Sequence, residues 1–316
     1  MINICTLSDI NYLHLGICLY NSIAESCSKK FVMHYLCIDN ESYSVLKQKE
    51  SQTLKVYSIK DIESTNDFQS LVSNTTYSPM SSDVSNTYCF SLASFFSKFL
   101  LDTQDIDDII YTDADMLFYN DISDIHSFAS KKSIGVMLHR HNDIGCHVGG
   151  YNVGLIYFKN DKPGYDCLTW WRDCVINPEN KWAAEYGTCG DQKYLEAFAP
   201  LFGQENIAVI DEEIGHGAPW NLGIYQYLDN DIGGKIKWTP FDHHQRKLKL
   251  GMEFDHKIQN MYFIHFSQFN PDYQNNRYGL DRNGCWNGLN IYGNQKVLNY
   301  YNDYFIKTKE VYMELK

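Results

Sequence analysis

Short apolar runs alternate with helix-patterned segments through the first hundred residues. Residues 2–7 (Ile-Asn-Ile-Cys-Thr-Leu) read as a buried strand. Asp9 is a candidate helix N-cap, and Leu13, Ile17, Tyr20 and Ile23 then share one helical face. Residues 31–38 read as a second strand ending at Asp39, followed by a polar helix (41–50) and a third strand (54–59). This βαβαβ order predicts a mainly parallel sheet covered by helices on both sides. Residues 73–87, rich in Ser, Thr and Asn, predict a long loop, and a helix over 88–102 follows. Further strands are expected at 133–139 and 152–158, and helices at 165–176 and 190–199. The stretch 211–295 is dense in Gly, Asn, Asp and aromatics and predicts a loop-rich substrate region. A final helix over 294–313 carries Val297, Tyr300, Tyr301, Tyr304 and Phe305 on one face. That stripe could pack on its own domain or join two copies as a homodimer.

Between these elements lies the most informative segment, residues 108–117. An apolar run ends there in Asp113-Ala114-Asp115. Alternate residues of a strand face the same way, so the two carboxylates are expected on one side of a strand tip. Such oxygen ligands suit a hard divalent cation that also holds phosphates. In a parallel sheet the ligand site lies at the carboxyl ends of the strands, where Thr6–Asp9, Asp39 and Asp113–Asp115 would gather.

Composition narrows the alternatives. The 316 residues are 44% hydrophobic and 21% charged, enough for one large domain or two small ones. A net charge of −12 argues against a nucleic-acid surface, which would be basic. The 24 tyrosines supply flat faces with a polar edge, suited to sugars and bases. The ten cysteines form no CxxC pair, and the chain opens directly on a strand without a signal-like segment. They are expected to be reduced thiols of a cytoplasmic protein. No apolar run nears the ~20 residues of a membrane span, although peripheral membrane contact stays open. The run His243-His244-Gln245-Arg246-Lys247-Leu248-Lys249 is a solvated face or a site for an anionic acceptor or membrane phosphate.

The motifs, taken in order over roughly residues 1–270, resemble the GT-A fold glycosyltransferases, most closely the glycogenin-like family-eight type. Thr6-Leu7-Ser8-Asp9 with Tyr12 looks like the nucleotide-holding loop, and Lys98 stands where a basic residue precedes the metal motif. Asp113-Ala114-Asp115 resembles the DxD metal motif, and Tyr151-Asn152-Val153-Gly154-Leu155 a strand that lines the donor sugar. Gly190-Asp191-Gln192 resembles the pair beside the reacting carbon. His265, in Phe263-Ile264-His265-Phe266, is placed like a third metal ligand. The family follows that histidine with a glycine and a Lys-Pro-Trp element. Here the chain reads Phe266-Ser267-Gln268-Phe269-Asn270-Pro271, without the diphosphate lysine, so Lys98, Arg277 or Arg282 would have to serve.

The resemblance implies one GT-A domain over 1–316. Residues 1–118 would form a nucleotide-binding half, 119–290 a donor and acceptor half, and 291–316 a C-terminal helix. It implies a hexosyltransferase of polysaccharide biosynthesis that takes a nucleotide-sugar donor, a UDP-sugar. The acceptor hydroxyl would belong to a glycan, a lipid-linked saccharide or a protein, and configuration would be retained. The metal set would be Asp113, Asp115 and His265, whose imidazole favours Mn²⁺ over Mg²⁺. Asp191 and Gln192 would be catalytic. Thr6, Asp9, Tyr12, Lys98, Asp113, Asn152, Gly154 and Asn221 would contact the donor, with Trp220 and Asn221 in the loop 215–223. Three other readings remain at this stage. One is an inverting transferase with Asp191 or Asp281 as base. Another is a haloacid-dehalogenase-type phosphatase attacking through the first Asp. The last is a non-catalytic carbohydrate-binding relative.

Overall fold

The computed structural model describes residues 1–65, 68–69, 71, 84–140, 149–176, 191–238, 257–280, 285–286 and 289–316. The basic run 243–249, Gly190, Asp281, Arg282 and most of the predicted loop 73–87 lie outside them.

In chain order the elements that matter begin with β1 (Ile2–Ser8), α1 (Leu13–Ser26), β2 (Phe31–Cys37), α2 (Asn40–Leu46), β3 (Leu54–Ser58) and α3 (Ile59–Glu63). Next come α4 (Val84–Thr103), β4 (Asp108–Thr112), β5 (Met116–Phe118), α5 (Ile122–Ala129), β6 (Ile134–Leu138), β7 (Tyr151–Lys159) and α6 (Lys162–Ile176). The second half holds α7 (Phe198–Phe202), β8 (Ile207–Val209), β9 (Gly215–Gly217), β10 (Tyr225–Tyr227), β11 (Lys235–Trp238), β12 (Lys257–His265) and α8 (Gln295–Glu314).

The main sheet has the order β3-β2-β1-β4-β7-β6-β8. Only β7 runs against its neighbours, so the sheet is mixed but mainly parallel, as the βαβ rhythm predicts. α1 covers one face. Gly16 lies so close to the Tyr35 hydroxyl that a Cβ would overlap it. That hydroxyl in turn meets Ser8 Oγ at 2.7 Å. α4 covers the other face, where Ser97 Oγ reaches Cys5 Sγ at 3.5 Å. All five predicted apolar residues of the C-terminal helix are buried on their own chain, and Tyr304 stacks on Phe266 with centroids 3.9 Å apart. Of the two uses open for that stripe, the structure shows intramolecular packing.

Three local expectations change. Asp9 does not cap α1. Its carboxylate accepts the Tyr12 N–H (3.0 Å) in the turn before the helix, while Asp39 caps α2 through Ser42 N–H (2.8 Å). The helix expected at 190–199 is a 3-10 turn, Lys193–Ala197, leading into α7. The stretch 211–295 is not merely loops. It builds a second sheet of order β10-β11-β12-β5, with β9 added beside β12. No helix among the described residues is long and apolar enough to cross a membrane.

A buried charge cluster ties the two sheets together. Arg140 follows β6 with φ 51°, and its guanidinium lies 2.7 Å from Asp211 Oδ1, both side chains fully enclosed. Asp211 also accepts the Leu138 N–H and pairs with His216 of β9 (2.8 Å). Arg140 donates to Gln259 of β12 (3.0 Å) and packs over the Trp238 ring (4.3 Å). Arg140 holds the Asp211 carboxyl below its ordinary range against the opposing effect of burial. Asp211→Ala strands a buried guanidinium and is expected to cost about 3–5 kcal/mol in chemical denaturation. A loss under about 1 kcal/mol would show that the cluster is hydrated.

Candidate active site

β4 ends at Thr112, so Asp113 and Asp115 do not alternate along a strand as the sequence suggests. They occupy a turn that carries the chain out of the main sheet and into β5 of the second. Their convergence comes from that turn. β12 lies antiparallel to β5 with His265 opposite Met116. Two backbone bonds pin the turn from both sides: Asp113 N–H to Gly154 O (3.0 Å) and Phe266 N–H to Asp115 O (2.8 Å). His265 Nε2 then lies 3.1 Å from Asp115 Oδ1 and 3.6 Å from Asp113 Oδ2. One ligand atom from each of the three residues lies within 4.8 Å of the others. Two carboxylates and an imidazole at that spacing fit a divalent cation of the Mn²⁺ type.

The charges fit as well. Burial opposes a charged His265, but Asp115 and then Asp113 outweigh it and lift the imidazole to about 9. Burial raises the Asp113 carboxyl, His265 opposes that rise, and Asp115 adds to it. A proton on His265 thus stands in for positive charge that a cation would bring. Tyr111, which sequence reasoning passed over, donates its hydroxyl to Asp113 Oδ1 (2.8 Å) and leaves Oδ2 toward His265.

Asp191 is buried beside this trio. Burial, and then the charge of Asp113, raise its carboxyl well above the usual range. Its Oδ2 has no hydrogen-bond partner among the described residues, and its carbonyl accepts the Trp171 indole N–H (2.8 Å). Gln192 Oε1 accepts from Asn152 Nδ2 (3.0 Å) and Val153 N–H (3.3 Å). Gly154, expected to admit a ligand to the backbone, instead admits the His265 ring. A Cβ there would stand 2.8 Å from His265 Nδ1.

The nucleotide-side residues divide. Tyr12 is 44% exposed at the start of α1. Its phenol is raised to about 12 by burial and then by Asp115 and Asp9, which places it near the aspartate turn. Asp9 is partly open beside it. Asp39 bonds the Ile10 N–H (2.7 Å) and so fastens this loop to the end of β2.

Three other expected donor contacts are not placed for that role. Thr6 is wholly enclosed in β1, and its hydroxyl has no hydrogen-bond partner among the described residues. Asn221 is equally enclosed: its Oδ1 accepts the Ala218 N–H within its own loop, and its Nδ2 donates to His139 O beyond β6. Lys98 sits near the C-terminal end of α4, toward the start of β4 and away from the aspartate turn. Its ammonium is held by Asp102 (2.6 Å) and Tyr165 (2.7 Å). Arg277, another substitute for the missing lysine, is paired with Asp272. Trp220 does reach the site, presenting its ring edge-on to His265 with centroids 5.6 Å apart.

No family model matches the chain. It is 28% identical over 242 residues to the uncharacterized protein YfnF of Bacillus subtilis (strain 168), covering 72% of this chain and 74% of YfnF. Mouse xyloside xylosyltransferase 1, in its apo form, is similar over 84% of this chain and 98% of its own, with a TM-score of 0.51 at 13% identity. The apo structure of the bifunctional glycosyltransferase WbbM matches 99% of this chain and 51% of its own, with a TM-score of 0.52 at 10% identity. These likenesses establish the fold: a mixed α/β architecture shared with glycosyltransferases.

Metal entry must displace the His265 proton. Mn²⁺ affinity, measured by titration at fixed ionic strength, is therefore expected to rise about tenfold per pH unit up to about 9. A flat profile between pH 6 and 8 would place the cation elsewhere.

Proposed function

We propose that this protein is a divalent-metal-dependent glycosyltransferase of the glycogenin-like type. It moves a hexose from a UDP-sugar to an acceptor hydroxyl with retention of configuration. The observation that carries this reading is the meeting of Asp113, Asp115 and His265 at the carboxyl end of β4, with the enclosed carboxyl of Asp191 alongside. The fold shared with glycosyltransferases supports it.

Bound there, Mn²⁺ supplies positive charge to the departing diphosphate. The chain's own groups do the rest. Tyr12 stacks on the base and Asp9 lies within reach of the nucleoside, since both are open at the rim. Asp191 reaches the donor sugar: its free Oδ2 accepts a sugar hydroxyl or faces the positive charge that grows at the anomeric carbon. Gln192 acts one step back, through Asn152 and Val153. The acceptor is a hydroxyl of a glycan, a lipid-linked saccharide or a protein. A cytoplasmic setting is supported by the free buried thiols of Cys5, Cys18, Cys37, Cys167 and Cys174.

Thermal shift and donor hydrolysis with a panel of nucleotide sugars, each with Mn²⁺, Mg²⁺ or chelator, test the reading. Stabilisation by UDP with Mn²⁺ and slow hydrolysis of one UDP-sugar are expected. Indifference to every nucleotide sugar would leave a non-catalytic binder.

Two variants separate the roles. Asp115→Asn is expected to abolish metal-dependent turnover while the fold, judged by circular dichroism, persists. Asp191→Ala is expected to leave the UDP dissociation constant near wild type and lower kcat by about a hundredfold or more. An equal loss of UDP affinity would make Asp191 structural.

A further inference from the structure

The side chain of Asn152 is oriented without ambiguity. Gly154 N–H can only donate, and it bonds Asn152 Oδ1 at 2.9 Å. Val153 N–H likewise identifies Gln192 Oε1 as an oxygen, and Asn152 Nδ2 donates to that same atom. The carbonyl end of Asn152 is therefore turned toward Gly154, and the amide end toward Gln192.

Across Gly154 lies His265. The position that a Gly154 Cβ would take is 2.6 Å from Asn152 Oδ1 and 2.8 Å from His265 Nδ1. The two polar atoms thus face each other over the space of a missing side chain. His265 Nδ1 is buried and has no partner, while Nε2 faces the two aspartates. If Nε2 gives its lone pair to a cation, the ring proton must sit on Nδ1. That would be a buried donor without an acceptor, an unfavourable state for a buried polar group. A carbonyl oxygen accepts two hydrogen bonds, and Gly154 N–H takes only one of them.

We propose that Asn152 is a positioning residue for His265. Its Oδ1 accepts the Nδ1 proton when Nε2 turns to the metal, and Gln192 holds the amide in the pose that makes this possible. The proposal rests on the metal-site reading above. It moves Asn152 from reading the donor sugar to setting the tautomer of a ligand. It also explains Gly154, because any Cβ would wedge the two groups apart. Outer hydrogen-bond partners of ligating histidines typically govern metal affinity by ten- to hundredfold.

Mn²⁺ alone is the probe, titrated by electron paramagnetic resonance into wild type, Asn152→Leu and Asn152→Asp. The leucine removes the acceptor at similar volume, and the aspartate keeps an oxygen in place. Asn152→Leu is expected to bind Mn²⁺ ten- to hundredfold more weakly, and Asn152→Asp at least as tightly as wild type. Equal binding by wild type and Asn152→Leu would overturn the proposal, as would an Asn152→Asp variant as weak as the leucine variant. Wild type that binds no Mn²⁺ would sink the metal-site reading itself. A measurement on wild type alone guards against a leucine variant that fails to fold. Nitrogen-15 resonances of His265 with Mg²⁺ are expected to show the proton on Nδ1, and a proton on Nε2 would contradict the proposal.

Discussion

The site depends on one crossing of the chain. β4 is embedded in the main sheet, and within three residues the chain enters the second sheet as β5. Asp113 and Asp115 occupy that passage. The backbone bonds to Gly154 on one side and Phe266 on the other hold the turn between two sheets, which fixes where both aspartates leave the main chain. The position of β12 is therefore as important to the site as the aspartates themselves. The enclosed Arg140–Asp211–His216 cluster, with Gln259, joins β6 to β9 and β12 and keeps His265 at the aspartate turn. A buried ion pair need not add net stability, but it fixes which surfaces meet.

That arrangement concentrates negative charge where it is least comfortable. Burial and a like charge act together on Asp113 and on Asp191, and at Asp113 His265 and the Tyr111 hydroxyl offset them. A preorganised cluster of this kind is costly when empty and favourable when positive charge arrives, and this is how a fold stores selectivity for a cation.

Much of this was legible from the sequence where signals are long and periodic. The strands of the first hundred residues and the apolar stripe of α8 fall where the pattern puts them, whereas Asp113 and Asp115 lie in the turn beyond β4. What escaped was non-local. β9, β10 and β11 are three or four residues long and separated by Gly and Asn, so each alone resembles a loop, and β12 is what joins them. Arg140 gave no spacing signal because its partners are far along the chain, and Tyr111, two residues before Asp113, read only as part of the strand. Lys98, Thr6 and Asn221 matched motif positions, but all three are buried, and Lys98 and Asn221 already have partners within the chain. Lys98 bridges two helices, and Asn221 bonds within its own loop. The sequence could suggest which residues were chemically able, but not which were accessible.

The most direct measurement is a crystal structure with Mn²⁺ and UDP, collected at a wavelength where manganese scatters anomalously. The account predicts one strong anomalous peak coordinated by Asp113, Asp115 and His265 Nε2, with the diphosphate of UDP completing the shell. UDP bound with no manganese between these three residues, or manganese bound elsewhere, would contradict it.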